Sequence, residues 1–237
     1  MCGRSSLTKT EKEIEARFHA TFYSEELERY NPLPNFNVAP THMHPVITSQ
    51  DTSHIHLYKW GLIPFWSKDN KSGAKMINAR KESLTEKPAF RSLTSTKRCI
   101  VPMDGFYEWK TDGKAKTPFR IITKDQEIFA VAGLWDCWKD QETGHLIYTF
   151  TIITCPPNAL METIHDRMPA ILLPEYEKLW LDTELKPEEA IQLLIPYPSE
   201  SMEAYPVSER VNSVRINEPS LIERLQDKPK PIQGSLF

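Results

Sequence analysis

With 237 residues and 40% hydrophobic side chains, the chain has material for one large domain or two small ones and enough to bury a real core. A formal net charge of -3 excludes a protein that coats nucleic acid by bulk charge, while leaving a local basic groove open. No apolar run reaches membrane-spanning length and no basic-then-apolar leader is present, so a soluble cytoplasmic protein with no membrane partner is expected, with monomer as the default state. Nineteen prolines against eight glycines predict many short elements and rigid connections. Cys2, Cys99, Cys137 and Cys155 show no C-x-x-C spacing, which reads as reduced thiols in a cytosolic chain.

The opening residues Met1-Cys2-Gly3-Arg4 carry the most distinctive chemistry. Removal of Met1 would leave Cys2 with a free α-amine beside its thiol. The amine titrates near ~8 and the thiol near ~8.5, so both are partly deprotonated nucleophiles at neutral pH. Such a 1,2-aminothiol attacks an aldehyde through nitrogen to give an imine, then through sulfur to close a five-membered thiazolidine. The amine can equally act as base for the thiol, as in amidohydrolases with an N-terminal nucleophile. Gly3 leaves the approach open, and Arg4 supplies a permanent cation suited to a phosphate or a thiolate. Taken alone, these residues also fit a frayed terminus.

Thr10 and Glu13 form a capping-box pattern ahead of Ile14 and Phe18, predicting a helix over 10–20. Pro32, Pro34 and Pro40 predict an extended, pinned loop without regular structure over 31–40. A hairpin over 44–48 and 54–60 follows, with His42, His44, His54 and His56 as two H-x-H pairs. No nearby carboxylate or cysteine is read as completing a ligand set, so a histidine ladder is expected and no metal. Trp60-Gly61-Leu62-Ile63-Pro64-Phe65-Trp66 runs into a loop holding Lys68, Lys71 and Lys75. That is the make-up of a platform for unstacked bases, with π-faces for stacking and cations for phosphates; a core strand ending in a surface loop has the same composition. Asn78 and Arg80, two residues apart, point the same way on a strand and suit one ligand held from one side.

A short helix is predicted over 85–93 and a strand from Arg98 to Pro102. Glu108 then stands between Tyr107 and Trp109, where apolar surroundings would raise its pKa into proton-shuttling range; the alternative is the solvent face of an amphipathic strand. Strands are expected over 117–123, 127–138 and 145–154, the middle one central, with a turn at 140–144. A helix over 159–164 stops at His165-Asp166-Arg167-Met168-Pro169, presenting His165 beside two charged neighbours that can tune it. Helices over 174–182 and 187–194 precede a return through Tyr205-Pro206-Val207. Basic residues gather at Lys68, Lys71, Lys75, Arg80 and Lys81, at Lys97 and Arg98, and at Lys110, Lys114, Lys116 and Arg120. They form one positive face if those segments converge and solvated loops if they do not. The proline-rich end from Lys228 reads as a loose tail.

Assembled in order, these segments resemble the SOS-response-associated peptidase (SRAP) family of abasic-site processing proteins. The matching stretches are MCGR, FNVAPT, WGLIPFW, INARKES, KPAFR, RCIVPMDGFYEW, AGLWD, FTIIT and IHDRMPAIL, in family order, and the resemblance as a whole covers residues 2 to about 210. The resemblance implies a single α+β domain over 2–225, built on a curved, largely antiparallel, barrel-like sheet flanked by short helices, with 226–237 as a flexible tail. It implies no cofactor, loss of Met1, and covalent cross-linking to abasic sites in single-stranded DNA during the SOS damage response, at the nucleoid when bound. Carried over residue by residue, Cys2 is the nucleophile, Asn78 positions the reactants, Glu108 is an acid/base, and His165 is a second acid/base near the deoxyribose. Arg4, Arg80 and Arg167 fall where phosphates are held, and Trp109 with the segment from Trp60 to Trp66 where bases or the DNA kink are supported. A weak lyase activity is expected from the imine, and the peptidase of the family name attaches to removal of Met1. The alternative is an N-terminal-nucleophile cysteine amidohydrolase or peptidase acting on a small amide or peptide, which needs an oxyanion hole. Gln233, Leu236 and Phe237 complete a Q-x-x-L-F peptide of the kind by which bacterial repair proteins dock on the replication sliding clamp.

Overall fold

The structure, a computed structural model, describes residues 2–125 and 127–225. In chain order its strands and α-helices are β1 (Ser5–Leu7), α1 (Glu11–Phe18), β2 (Thr21–Phe22), α2 (Ser24–Arg29), β3 (Asn35–Val38), β4 (Met43–Thr48), β5 (Asp51–Trp60) and β6 (Asn78–Arg80). There follow α3 (Pro88–Arg91), α4 (Leu93–Thr96), β7 (Arg98–Met103), β8 (Gly105–Asp112), β9 (Ala115–Thr123), β10 (Phe129–Lys139) and β11 (Leu146–Cys155). The chain ends through α5 (Ala159–Glu162), β12 (Met168–Pro169), α6 (Pro174–Leu181), α7 (Pro187–Gln192) and β13 (Met202–Pro206).

Five strands close on themselves. β4 pairs with β5 and β7, β7 with β10, β10 with β11, and β11 returns to β5. Every pairing in the ring is antiparallel except the closing one, where Thr149 meets Lys59 and Phe150 meets Trp60 in parallel. Closure satisfies the backbone groups that an open sheet leaves at its edges. β10 and β11 are buried on both faces, which explains their near-continuous apolar sequence. A second, antiparallel sheet in the order β13-β9-β8-β1-β3 lies beside the barrel, and short helices flank the whole. The expected α+β, barrel-like, largely antiparallel fold is therefore the one observed.

The helix expected over 85–93 is two short ones, α3 and α4, and β1 and β3 depart further from the sequence expectation. β1 has only the polar-rich segment Ser-Ser-Leu, which carries no strand signal, yet it is buried between β3 and β8. Buried Asp104 holds it, accepting from Ser6 Oγ at 2.6 Å and from the Thr8 N–H at 2.6 Å, with Arg120 paired at 3.1 Å. The proline-flanked stretch expected to be irregular contains β3. This strand lies at the edge of its sheet, where flanking prolines remove no ladder bond that matters.

The capping box forms as expected. Thr10 Oγ1 accepts from the Glu13 N–H at 3.4 Å, and Glu13 accepts from the Thr10 N–H at 2.7 Å. The histidine ladder does have a carboxylate neighbour, contrary to expectation. Asp51 lies 2.9 Å from His54 Nδ1 and 3.3 Å from His56 Nε2, and Tyr23 stacks on His54. No helix among the described residues is long and apolar enough to cross a membrane.

Candidate functional site

Cys2 precedes β1 and is buried at the seam between the side sheet and the barrel. Asn78 reaches it from the barrel wall. This residue opens β6, which runs parallel to β11 with Asn78 opposite Ile152, and its Nδ2 donates to the Cys2 carbonyl at 2.8 Å. The Oδ1 of the same amide is buried and accepts no hydrogen bond among the described residues, so an acceptor is held in reserve beside Cys2. Burial, and then the charge of Glu108, push the Cys2 thiol well above its ordinary range. The thiol is therefore protonated here at neutral pH, with Sγ 3.9 Å from the Arg4 carbonyl oxygen.

Glu108 is buried on β8, opposite Phe119 of β9. Its neighbours Tyr107 and Trp109 point to the other face of the sheet, as strand alternation requires. Placement in the seam thus desolvates the carboxyl, and the flanking aromatics do not. Burial raises its pKa, while nearby positive charge, His165 included, acts in the other direction. His165 Nε2 lies 4.0 Å from Glu108 Oε2.

The imidazole is oriented from behind. Helix α5 is capped at its start by Asn158, which accepts from the Met161 N–H at 2.9 Å, and the His165 N–H closes onto Met161 O at 2.7 Å. His165 Nδ1 accepts from the Arg167 N–H at 3.0 Å and lies 2.9 Å from Asp166 Oδ1. In the neutral ring, accepting at Nδ1 leaves the proton on Nε2, the nitrogen facing Glu108. In the charged ring, Nδ1–H can turn to Asp166.

Around this centre lies a ring of amide and aromatic contacts. Arg4 Nη1 donates to Asn37 Oδ1 at 2.7 Å and to the carbonyl of Val211, and the guanidinium lies 5.9 Å from the Trp109 ring. Trp109 Nε1 donates to Asn212 Oδ1 at 2.8 Å. Asn37 Nδ2 donates onward to Ser213 O at 3.0 Å and Ile216 O at 2.8 Å, tying Arg4 to the C-terminal segment. Sequence reasoning passed over Asn37 and Asn212; the available signal was a polar residue between Phe36 and Val38 in a run that is otherwise apolar.

Arg80, two residues beyond Asn78, is exposed, and buried Ala79 separates them. The aromatic run divides at Gly61, whose φ of 122 favours glycine and whose added Cβ would sit 2.5 Å from Gly73 O. Before that turn Trp60 is 1% exposed, stacked on Phe150 with its Nε1 donated to Ile77 O at 2.9 Å. After it Phe65 and Trp66 are 59% and 56% exposed. Trp60 therefore belongs to the core and offers no face for a base. Arg167, expected to hold a phosphate, forks onto Glu82 at 2.8 and 2.9 Å and donates to Thr154 O at 2.6 Å. Its guanidinium fastens the His165 segment to the barrel.

The basic clusters divide in the same way. Lys97 pairs with buried Asp136 at 2.6 Å, Arg98 is buried against the carbonyls of Trp180 and Thr94, and Arg120 pairs with Asp104. Lys68, Lys71, Lys75, Arg80, Lys110, Lys114 and Lys116 remain exposed. Gln233, Leu236 and Phe237 lie outside the described residues.

A closed barrel with a side sheet, and a cysteine at the second position held in the seam between them, defines the architectural class. The chain belongs to the SOS response associated peptidase (SRAP) family, whose profile matches residues 1–214. It is 47% identical over 226 residues to the abasic site processing protein YoqW of Bacillus subtilis, covering 94% of this chain and 99% of that one. It is 33% identical to the abasic site processing protein HMCES of Xenopus tropicalis, covering 92% of this chain and 77% of that one. Among solved structures, a protein from Bacteroides thetaiotaomicron superposes with a TM-score of 0.86 at 35% identity, covering 95% of this chain and all of the other.

Proposed function

We propose that this chain processes abasic sites in single-stranded DNA, and that after removal of Met1 it traps the lesion as a thiazolidine on Cys2. The observation that carries the reading is convergence. Cys2, Asn78, Glu108 and His165 come from four separate segments and meet at one seam, in a relative of proteins named for abasic-site processing.

An abasic site equilibrates between a closed hemiacetal and an open aldehyde. In this reading His165 moves the proton that opens the sugar, and the Cys2 amine adds to C1′ to give a carbinolamine. Glu108, protonated to higher pH than an ordinary carboxyl because it is buried, donates to the departing hydroxyl, so water leaves and the imine forms. The Cys2 sulfur then adds to the carbon of the protonated imine as the thiol proton returns to the Glu108 carboxylate, closing the ring and restoring the acid. One water is lost overall. Ring closure matters because an open imine promotes β-elimination and strand scission, the source of a weak lyase activity. Asn78 holds the Cys2 carbonyl throughout, and its Oδ1, without a partner among the described residues, is available to accept from the amine N–H. Arg4 and Arg80 face phosphates, while Trp66 and Trp109 support bases. The peptidase character attaches to removal of Met1. The setting is the DNA-damage response in the cytoplasm, at the nucleoid.

The test mixes protein of verified Met1 loss with single-stranded DNA carrying one abasic site and resolves it on a denaturing gel, with Cys2→Ala alongside. A Cys2-dependent adduct, absent from the variant that lacks the nucleophile, is expected. No adduct would overturn the reading in favour of amide hydrolysis. For the tail, the proposal is docking of Gln233, Leu236 and Phe237 on the sliding clamp. Deleting residues 233–237 should abolish clamp capture and leave the adduct intact; retained capture would refute it.

A further inference from the structure

Among the exposed basic clusters, the one at the β8–β9 hairpin lies on the strand that carries Glu108, and internal pairing does not account for its lysines. Arg120 is withdrawn into the core with Asp104. Lys110, Lys114 and Lys116 are left exposed, and none has an ion pair among the described residues. Over the tip from Lys110 to Lys116 there are three lysines against the single carboxylate of Asp112.

The hairpin's register ties Lys110 to the site. Phe106, Glu108 and Lys110 occupy alternate positions of β8 and share one face of the sheet. Along that face the burial runs from core (Phe106) through site (Glu108) to solvent (Lys110). Two residues of strand advance about 7 Å, so Lys110 stands at the mouth of the seam, next outward from the acid/base. The opposite face repeats the pattern. Tyr107 is buried, Trp109 is half-buried beneath Arg4, and Thr111 pairs across the hairpin with Lys116. Lys114 sits at the turn, beside Gly113 with its φ of 58.

We propose that the β8–β9 hairpin is an electropositive arm that receives the DNA strand flanking the lesion, with Lys110 taking the phosphate next to the seam and Lys114 and Lys116 the ones beyond it. The inference rests on the abasic-site reading and deepens it by naming the polymer contact outside the reacting sugar. Phosphate contacts of this kind carry no sequence information; they add affinity and salt dependence.

The experiment measures equilibrium binding of a single-stranded oligonucleotide containing a tetrahydrofuran abasic analogue, which lacks the aldehyde, so binding is read apart from cross-linking. Unsubstituted protein is compared with Lys110→Gln/Lys114→Gln/Lys116→Gln and with a control, Lys12→Gln/Lys178→Gln/Lys186→Gln. Each lost phosphate contact should lower the slope of log affinity against log salt by about 0.7, equivalent to about fivefold in affinity at 0.1 M salt. The arm variant is therefore expected to lose between one and three such steps, with the control unchanged. A single Lys110→Glu variant should weaken binding more than Lys110→Gln. An unchanged slope in the arm variant, while the unsubstituted protein still cross-links abasic DNA, overturns the arm alone. An unsubstituted protein that neither binds the analogue nor cross-links overturns the arm and the underlying reading together. Equal losses in arm and control variants would also overturn it, since the effect would then be bulk charge.

Discussion

Inside the barrel, Trp60 and His44 each commit a ring nitrogen to a backbone carbonyl, Ile77 O at 2.9 Å and Pro102 O at 2.7 Å. At the seam between barrel and side sheet, Asn78 keeps a buried oxygen with no partner among the described residues, and Cys2 and Glu108 are held desolvated beside each other. A buried polar group that is satisfied stabilises a unique packing, while one left in reserve costs stability unless something binds it. The barrel strands also bury Trp135 Nε1 and Thr151 Oγ1 without a partner among the described residues, so the contrast is a local one: Trp60 and His44 are fixed by their carbonyls, while the Asn78 oxygen lies beside Cys2, where under the proposed function a reactant would meet it.

The strongest way to break that comparison is to empty the barrel. Trp60→Ala should cost about 3–5 kcal/mol of folding stability, read by chemical denaturation; a neutral result would mean that Trp60 is not core. Next comes acid. Burial holds His44 at about 4 in the folded protein, against about 6.5 in the unfolded chain. As pH falls through 6.5 the unfolded state takes up a proton that the folded state refuses. Stability is thus complete above that pH and is lost towards pH 4, by up to about 3 kcal/mol. His44→Gln should flatten that acid limb in urea titrations at stepped pH, and an unchanged limb would refute the assignment. The smallest effect sharpens the contrast. Trp66→Ala should change stability by less than about 0.5 kcal/mol yet weaken single-stranded DNA binding by about 1–3 kcal/mol, measured by anisotropy. Equal effects on stability and binding would remove the distinction between the two tryptophans.

Much of this was readable from the chain because the signals were local. The capping box at Thr10 and Glu13, the hairpin strands around residues 48–51, and the apolar runs of β10 and β11 all declare themselves within a few residues. The misreadings came from long-range physics. Nothing near Trp60 in sequence distinguishes it from Trp66; Gly61 and the ring closure of β5 on β11 do. Arg167 was expected at a phosphate because Glu82, onto which it forks, is 85 positions away. β1 was invisible because a distant carboxylate, Asp104, holds its serine and the following Thr8. The candidate site was legible through the resemblance of its motifs to one family. Its chemistry in the seam required the fold, since Glu108 is desolvated by its place in the structure and not by the two aromatics beside it.

The most direct test of the central claim is the intact mass and peptide map of the protein–DNA adduct formed by the protein lacking Met1. The account predicts a mass equal to the sum of the two partners less one water, located on the N-terminal peptide beginning at Cys2, with that thiol no longer alkylated by iodoacetamide. An adduct on an internal lysine, or on Cys2 with its thiol still alkylated, would contradict it.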